Sequence, residues 1–139
     1  MRAGLAAAPT LLCGAVTVSW ACTPALPSAQ GTQARTLDSA QYALAYRTLP
    51  ENIVIGQHFA MELALCAKGS AAAVDSLRVD AHMPEHRHGM NYKTVVSATG
   101  AQRYRAEGLM FHMPGRWEYI FEVRAAGAIE RLTTSVMMP

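Results

Sequence analysis

Leu77-Arg78-Val79-Asp80-Ala81-His82-Met83 is the stretch that decides the fold. Leu77, Val79, Ala81 and Met83 alternate with Arg78, Asp80 and His82, the period of two that a half-buried strand requires. Pro84 ends the run. The same alternation recurs on both sides. Upstream, Tyr42, Leu44 and Tyr46 form one stripe, closed by Pro50-Glu51-Asn52, and Ile53 to Ile55 reads as a short extended piece turned at Gly56-Gln57. Phe59, Met61, Leu63 and Leu65 form the next stripe, with Glu62 opposite. Downstream, Tyr92 to Ala98 is β-branched, and Leu109, Phe111 and Met113 oppose Met110 and His112. Pro114-Gly115 has the residues of a type II turn, with glycine taking positive φ. Trp117, Tyr119, Phe121 and Val123 then face away from Glu118, Glu122 and Arg124, and Leu132, Thr134 and Val136 close the series. Seven or eight short strands spaced about ten residues apart, with no convincing helix, predict an all-β chain folded as an Ig-like antiparallel β-sandwich.

The 139 residues suffice for one domain and its core. A formal net charge of +2, with no run of Lys/Arg interleaved with aromatics, argues against a nucleic-acid partner. At the N-terminus, Arg2 precedes an uncharged apolar stretch from Leu5 to Ala21, with Pro24 and Pro27 immediately after. Residues 1–29 therefore read as an export signal or lipoprotein leader, residues 30–40 as a flexible tether, and residues 41–139 as the domain. Three fates of the leader compete: lipidation at Cys22 after Ser19-Trp20-Ala21, cleavage near Ala29, or retention as an uncleaved anchor. All place the domain in the periplasm or on the outer face of the cytoplasmic membrane. With Cys13 and Cys22 in or at the edge of the leader, Cys66 is expected to stand alone as a small buried strand residue without a bridge.

The chemistry-bearing residues are concentrated. Ala81-His82-Met83-Pro84-Glu85-His86-Arg87-His88-Gly89-Met90 holds three of the five histidines and two of the eight methionines. A shorter echo follows at Phe111-His112-Met113-Pro114-Gly115. Imidazole and thioether donors together suit copper, and thioethers favour its cuprous state. Candidate ligands are His86, His88, Met90 and His112, with Met83, Met113 and His82 in reserve. Alternation puts Met83 on the core face and His82 opposite, while His86, His88 and Met90 lie beyond Pro84, where a loop frees them from strand register. Single surface histidines are ordinarily solvated side chains, and methionines ordinary core fillers; it is their convergence that points to metal. Neither a serine nucleophile in an elbow motif nor a pair of carboxylates in a shared apolar setting is evident, so no enzyme is expected.

The segments Asp80 to Asn91 and Gly108 to Glu118 resemble the YtkA-like domain family, and more loosely the periplasmic part of FixH-like proteins. A Met-Pro-x-His-x-His-Gly-Met loop followed by a Met-Pro-Gly-x-Trp turn carries the resemblance, which extends over roughly Leu44 to Val136. It implies an exported or membrane-anchored Ig-like β-sandwich. FixH-like relatives are associated with assembly of copper-containing oxidases, which implies a copper-handling role, with a cuproprotein or membrane assembly factor as partner. Arg87 stands where glycine is frequent in such loops. The reading is a copper carrier, buffer or assembly factor; the alternative is a structural or protein-interaction module that binds no metal.

Overall fold

The computed structural model describes residues 22–27 and 32–139; the expected leader, apart from residues 22–27, lies outside the described residues. The strands are β1 (Arg35–Asp38), β2 (Tyr42–Leu49), β3 (His58–Ala67), β4 (Ser76–Met83), β5 (His88–Gly89), β6 (Val95–Gly100), β7 (Arg103–Met110), β8 (Gly115–Ala125) and β9 (Ala128–Met138). They form two antiparallel sheets, β1-β2-β3-β7-β6 and β5-β4-β8-β9. The expected all-β sandwich is the fold, with nine strands among the described residues rather than seven or eight.

The alternating stripes become the two inner faces. Leu77, Val79, Ala81 and Met83 of β4 are buried, as are Trp117, Tyr119, Phe121 and Val123 of β8. They meet Tyr42, Leu44, Tyr46, Met61, Leu63 and Leu65 from the larger sheet in one core. Aromatic rings dominate one end of it. Phe111 stacks on Trp117 with centroids 4.6 Å apart, and Tyr119 lies 5.6 Å from Phe111 and 5.9 Å from Tyr46. Trp117 is fully buried, and truncating such a residue to alanine costs about 3–5 kcal/mol.

The structure corrects three expectations. Residues 35–38, read as part of a tether, form β1, paired with β2 from Arg35↔Tyr46 to Asp38↔Ala43. Leu37 packs half-buried against the core, and Ser39 holds the turn by accepting the Tyr42 N–H at 2.9 Å. An edge strand with one wet face shows little apolar period, which is why composition resembled a tether. Second, Ile53 to Ile55 is not a strand but a loop whose two isoleucines pack on the core. Third, Cys66 is not alone: it is disulfide-bonded to Cys22. Cys66 lies on the outer face of β3, opposite Ala43 of β2, where small side chains leave room for residues 22–27. Pro27, at the other end of that segment, accepts a 2.6 Å hydrogen bond from Arg47 Nη1.

Candidate metal centre

Two connections meet at one end of the sandwich. The first leaves β4. The His86 N–H bonds the Met83 carbonyl at 3.2 Å, and Arg87 takes φ 54°, which reverses the chain. β5 then folds back on β4 with Met83↔His88 and His82↔Gly89 paired, and the Met90 N–H reaches the Ala81 carbonyl at 3.2 Å. What reads as a free loop is thus a short hairpin, and strand register does set its directions. His88 shares the inward face with Met83, while His82 points outward. The left-handed conformation at Arg87 is one that glycine adopts without cost.

The second connection is Phe111 to Pro114, which carries the chain from β7 in one sheet to β8 in the other. It is pinned from both sides: Phe111 O accepts the Gly56 N–H at 2.8 Å, and Met113 O accepts the Trp117 indole N–H at 3.0 Å. Gly115, at φ 118°, lets the next strand pass close to Met83, whose Cε lies 2.8 Å from where a β-carbon would sit.

These constraints place the His88 and His112 rings 5.1 Å apart, centroid to centroid. His86 lies 5.8 Å from His88 on the outer side. The Trp117 ring forms the floor, edge-on to both His88 at 5.9 Å and His112 at 5.3 Å. With metal–nitrogen bonds of about 2.0 Å, two imidazoles sharing an ion hold their centroids roughly 5–6 Å apart. The His88–His112 spacing falls in that window.

The free valences are defined as well. His88 Nδ1 is 3.1 Å from the Gly89 carbonyl. A carbonyl only accepts, so Nδ1 carries the proton and Nε2 of the neutral ring offers its lone pair, the arrangement usual in ligating histidines. His112 Nδ1 is buried with no hydrogen-bond partner among the described residues. Met90 and Met113 are half-buried against the core, whereas Met83 is wholly buried in it. Two neighbouring imidazoles, His88 and His112, are thus brought together, with His86 at the rim, and Met90 and Met113 lie half-buried in the same two connections. Paired imidazoles are borderline donors of the kind a soft, low-coordinate ion takes. No three or more His, Cys, Asp or Glu side chains are grouped to hold a metal ion among the described residues.

His82 is not part of this group. It sits on the outer face of β4, where Nε2 lies 3.0 Å from Glu118 Oε1 on the neighbouring strand. Glu85 is bonded at 2.8 Å by Arg116 Nε, which holds its carboxyl below the usual carboxylate range. Alternation marks Trp117 only as a core residue. The signal for its second role is its place just after the turn, where a buried indole N–H needs an acceptor and the turn carbonyls supply one.

The fold defines the chain as an antiparallel β-sandwich protein. In structure it is similar to the crystal structure of a DUF4426 family protein from Pseudomonas aeruginosa PAO1, with a TM-score of 0.52, 7% sequence identity, and coverage of 76% of this chain and 94% of that one. At that identity the likeness concerns the fold alone. No family model matches the sequence, and no curated protein matches it.

Proposed function

We propose that this protein binds copper, preferentially cuprous, outside the cytoplasm, and carries or buffers it for delivery to a cuproprotein or a membrane assembly factor. The observation that carries the reading is the His88–His112 juxtaposition, in which a buried, unpartnered Nδ1 stands beside a second imidazole with a defined lone pair. When bound, the ion would supply soft Lewis acidity and a single exchangeable electron. His88 and His112 would hold it, Met90 and Met113 would lend thioether sulfur, and Trp117 would exclude water from beneath. His86, exposed at the rim, would be the first of the three imidazoles to meet an incoming ion.

Two further points support the reading. The segments Asp80 to Asn91 and Gly108 to Glu118, in which the chain resembles YtkA-like domains, contain the two histidines that lie side by side, His88 and His112. The Cys22–Cys66 bond is the kind of linkage that persists in an oxidising compartment such as the periplasm. The second reading, an interaction module, is favoured by the lack of any grouping of three His, Cys, Asp or Glu among the described residues. Metal content after purification without a histidine tag separates the two. Copper near one equivalent supports the first, and its absence from protein expressed in copper-supplemented cells favours the second.

A further inference from the structure

A cleft of about 340 Å³ opens between the sheets at their other margin, where β1 and the end of β2 face the end of β9. That size lies within the range of small-molecule sites, about 300–1,000 Å³. It is separate from the histidine cluster, with the Trp117–Phe111 stack lying between that cluster and Tyr119. Ile53, Val136 and Met138 contribute apolar wall. Tyr119, only 1% exposed, is among the residues that line the cleft, and its buried hydroxyl has no hydrogen-bond partner among the described residues. A buried hydroxyl left unpaired is costly, and native structures rarely leave one without a purpose.

The surroundings indicate what would satisfy it. Arg35 is the cross-strand partner of Tyr46, so its side chain rises from the inner face of the edge strand, on the cleft side. It forms no ion pair among the described residues. Tyr46 meets Tyr119 edge-on at 5.9 Å. The other arginine on the cleft, Arg47, is already engaged by Glu62 and the Pro27 carbonyl. Glu51 also lines the cleft and is paired with neither arginine. A guanidinium outside any ion pair and a buried phenol donor lining the same cleft are a recognition set for a planar anion, because the guanidinium fork matches carboxylate geometry and a phenol O–H can donate to the same group.

We propose that this cleft is a binding site for a small organic carboxylate, with Arg35 and Tyr119 holding the carboxylate and Ile53, Val136 and Met138 covering a short apolar tail. The test is an NMR titration of the disulfide-intact protein with benzoate and hexanoate, and with benzamide as the uncharged control. Saturable shifts centred on Tyr46, Tyr119 and Val136 are expected. Tyr119→Phe keeps the ring and Arg35→Gln leaves the core intact, and each weakens benzoate binding roughly tenfold or more. His88→Ala leaves benzoate binding unchanged, so the result is independent of any metal. Three results would each overturn the proposal: no saturable binding, benzamide binding as tightly as benzoate, or unchanged affinity in both cleft variants.

Discussion

Cys22 and Cys66 are joined by a disulfide, their α-carbons 6.0 Å apart, across a sequence separation of 44 residues. The bond fastens the stretch that precedes the sandwich to the outer face of β3. It uses the same sulfur that lipid attachment at Cys22 would use, so the two states exclude one another. It is equally incompatible with removal of residues 1–29. An exported protein carrying this bond is cut, if at all, on the N-terminal side of Cys22. Intact mass before and after reduction checks this: Cys22 retained, no acyl mass, and a gain of two hydrogens on reduction.

Opening a loop of that length should cost about 3–4 kcal/mol, because the unfolded chain regains the entropy the link removes. Cys66→Ser is expected to lower the denaturant midpoint accordingly, with the native fold retained. An unchanged midpoint would mean that the segment contributes nothing to the folded state.

The hairpin turn makes a second prediction. Arg87 holds φ 54°, which strains any residue with a β-carbon. Arg87→Gly should therefore stabilise the protein, by up to about 1 kcal/mol. Removing a cation beside His86 and His88 should also tighten copper modestly, more so at low salt. Thermal melts and copper competition on the same variant read both effects.

Glu85 and Arg116 tie the hairpin to β8 by a 2.8 Å ion pair. The hydrogen bond from Arg116 lowers the Glu85 pKa below 4.5, so the pair contributes fully above that value and is lost as pH falls through the depressed folded value. Both groups are solvent-accessible, so the contribution is small. The measurable consequence is positional: Arg116→Ala should loosen the turn carrying His86 and raise hydrogen exchange at the His86 and Met90 amides.

Tyr119 is a titrating group with the opposite sign. Burial raises its pKa far above 10.0, so the folded state holds the proton after the unfolded chain has released it. Its share of stability is intact below about 10 and falls as pH climbs beyond it. Tyr119→Phe should remove this alkaline loss. At neutral pH it should stabilise by about 1 kcal/mol, since an unpaired buried hydroxyl is deleted. Urea unfolding of both proteins at pH 7 and pH 11 tests the two claims together.

How far these features can be read from the chain differs by element. β4 and β8 are plain because each has one wet face and one dry, and alternation records it. β1 is hidden because an edge strand of four residues with a single half-buried Leu37 carries no periodic signal. The disulfide is hidden for a different reason. Cys22 looks like the end of an apolar leader, and no pattern within one sequence links it to a residue on the outer face of β3. At the candidate site, alternation assigns His82 and Met83 to opposite faces correctly. It is silent beyond Pro84, where the hairpin, through the left-handed Arg87, aims His88 inward. The meeting of His88 with His112 is a product of topology: it needs the β7–β8 connection to cross between sheets at the same end as the β4–β5 turn.

The most direct test of copper handling is an anaerobic titration of the tagless protein with cuprous ion against a chromophoric chelator. Wild type, His88→Ala/His112→Ala and His82→Ala are to be compared. One ion per chain is expected, weakened roughly 100-fold or more in the double variant and unchanged in His82→Ala, whose imidazole serves Glu118 instead. Binding that survives loss of both His88 and His112 would contradict the account, and would leave the two connections as a rigid edge for a protein partner.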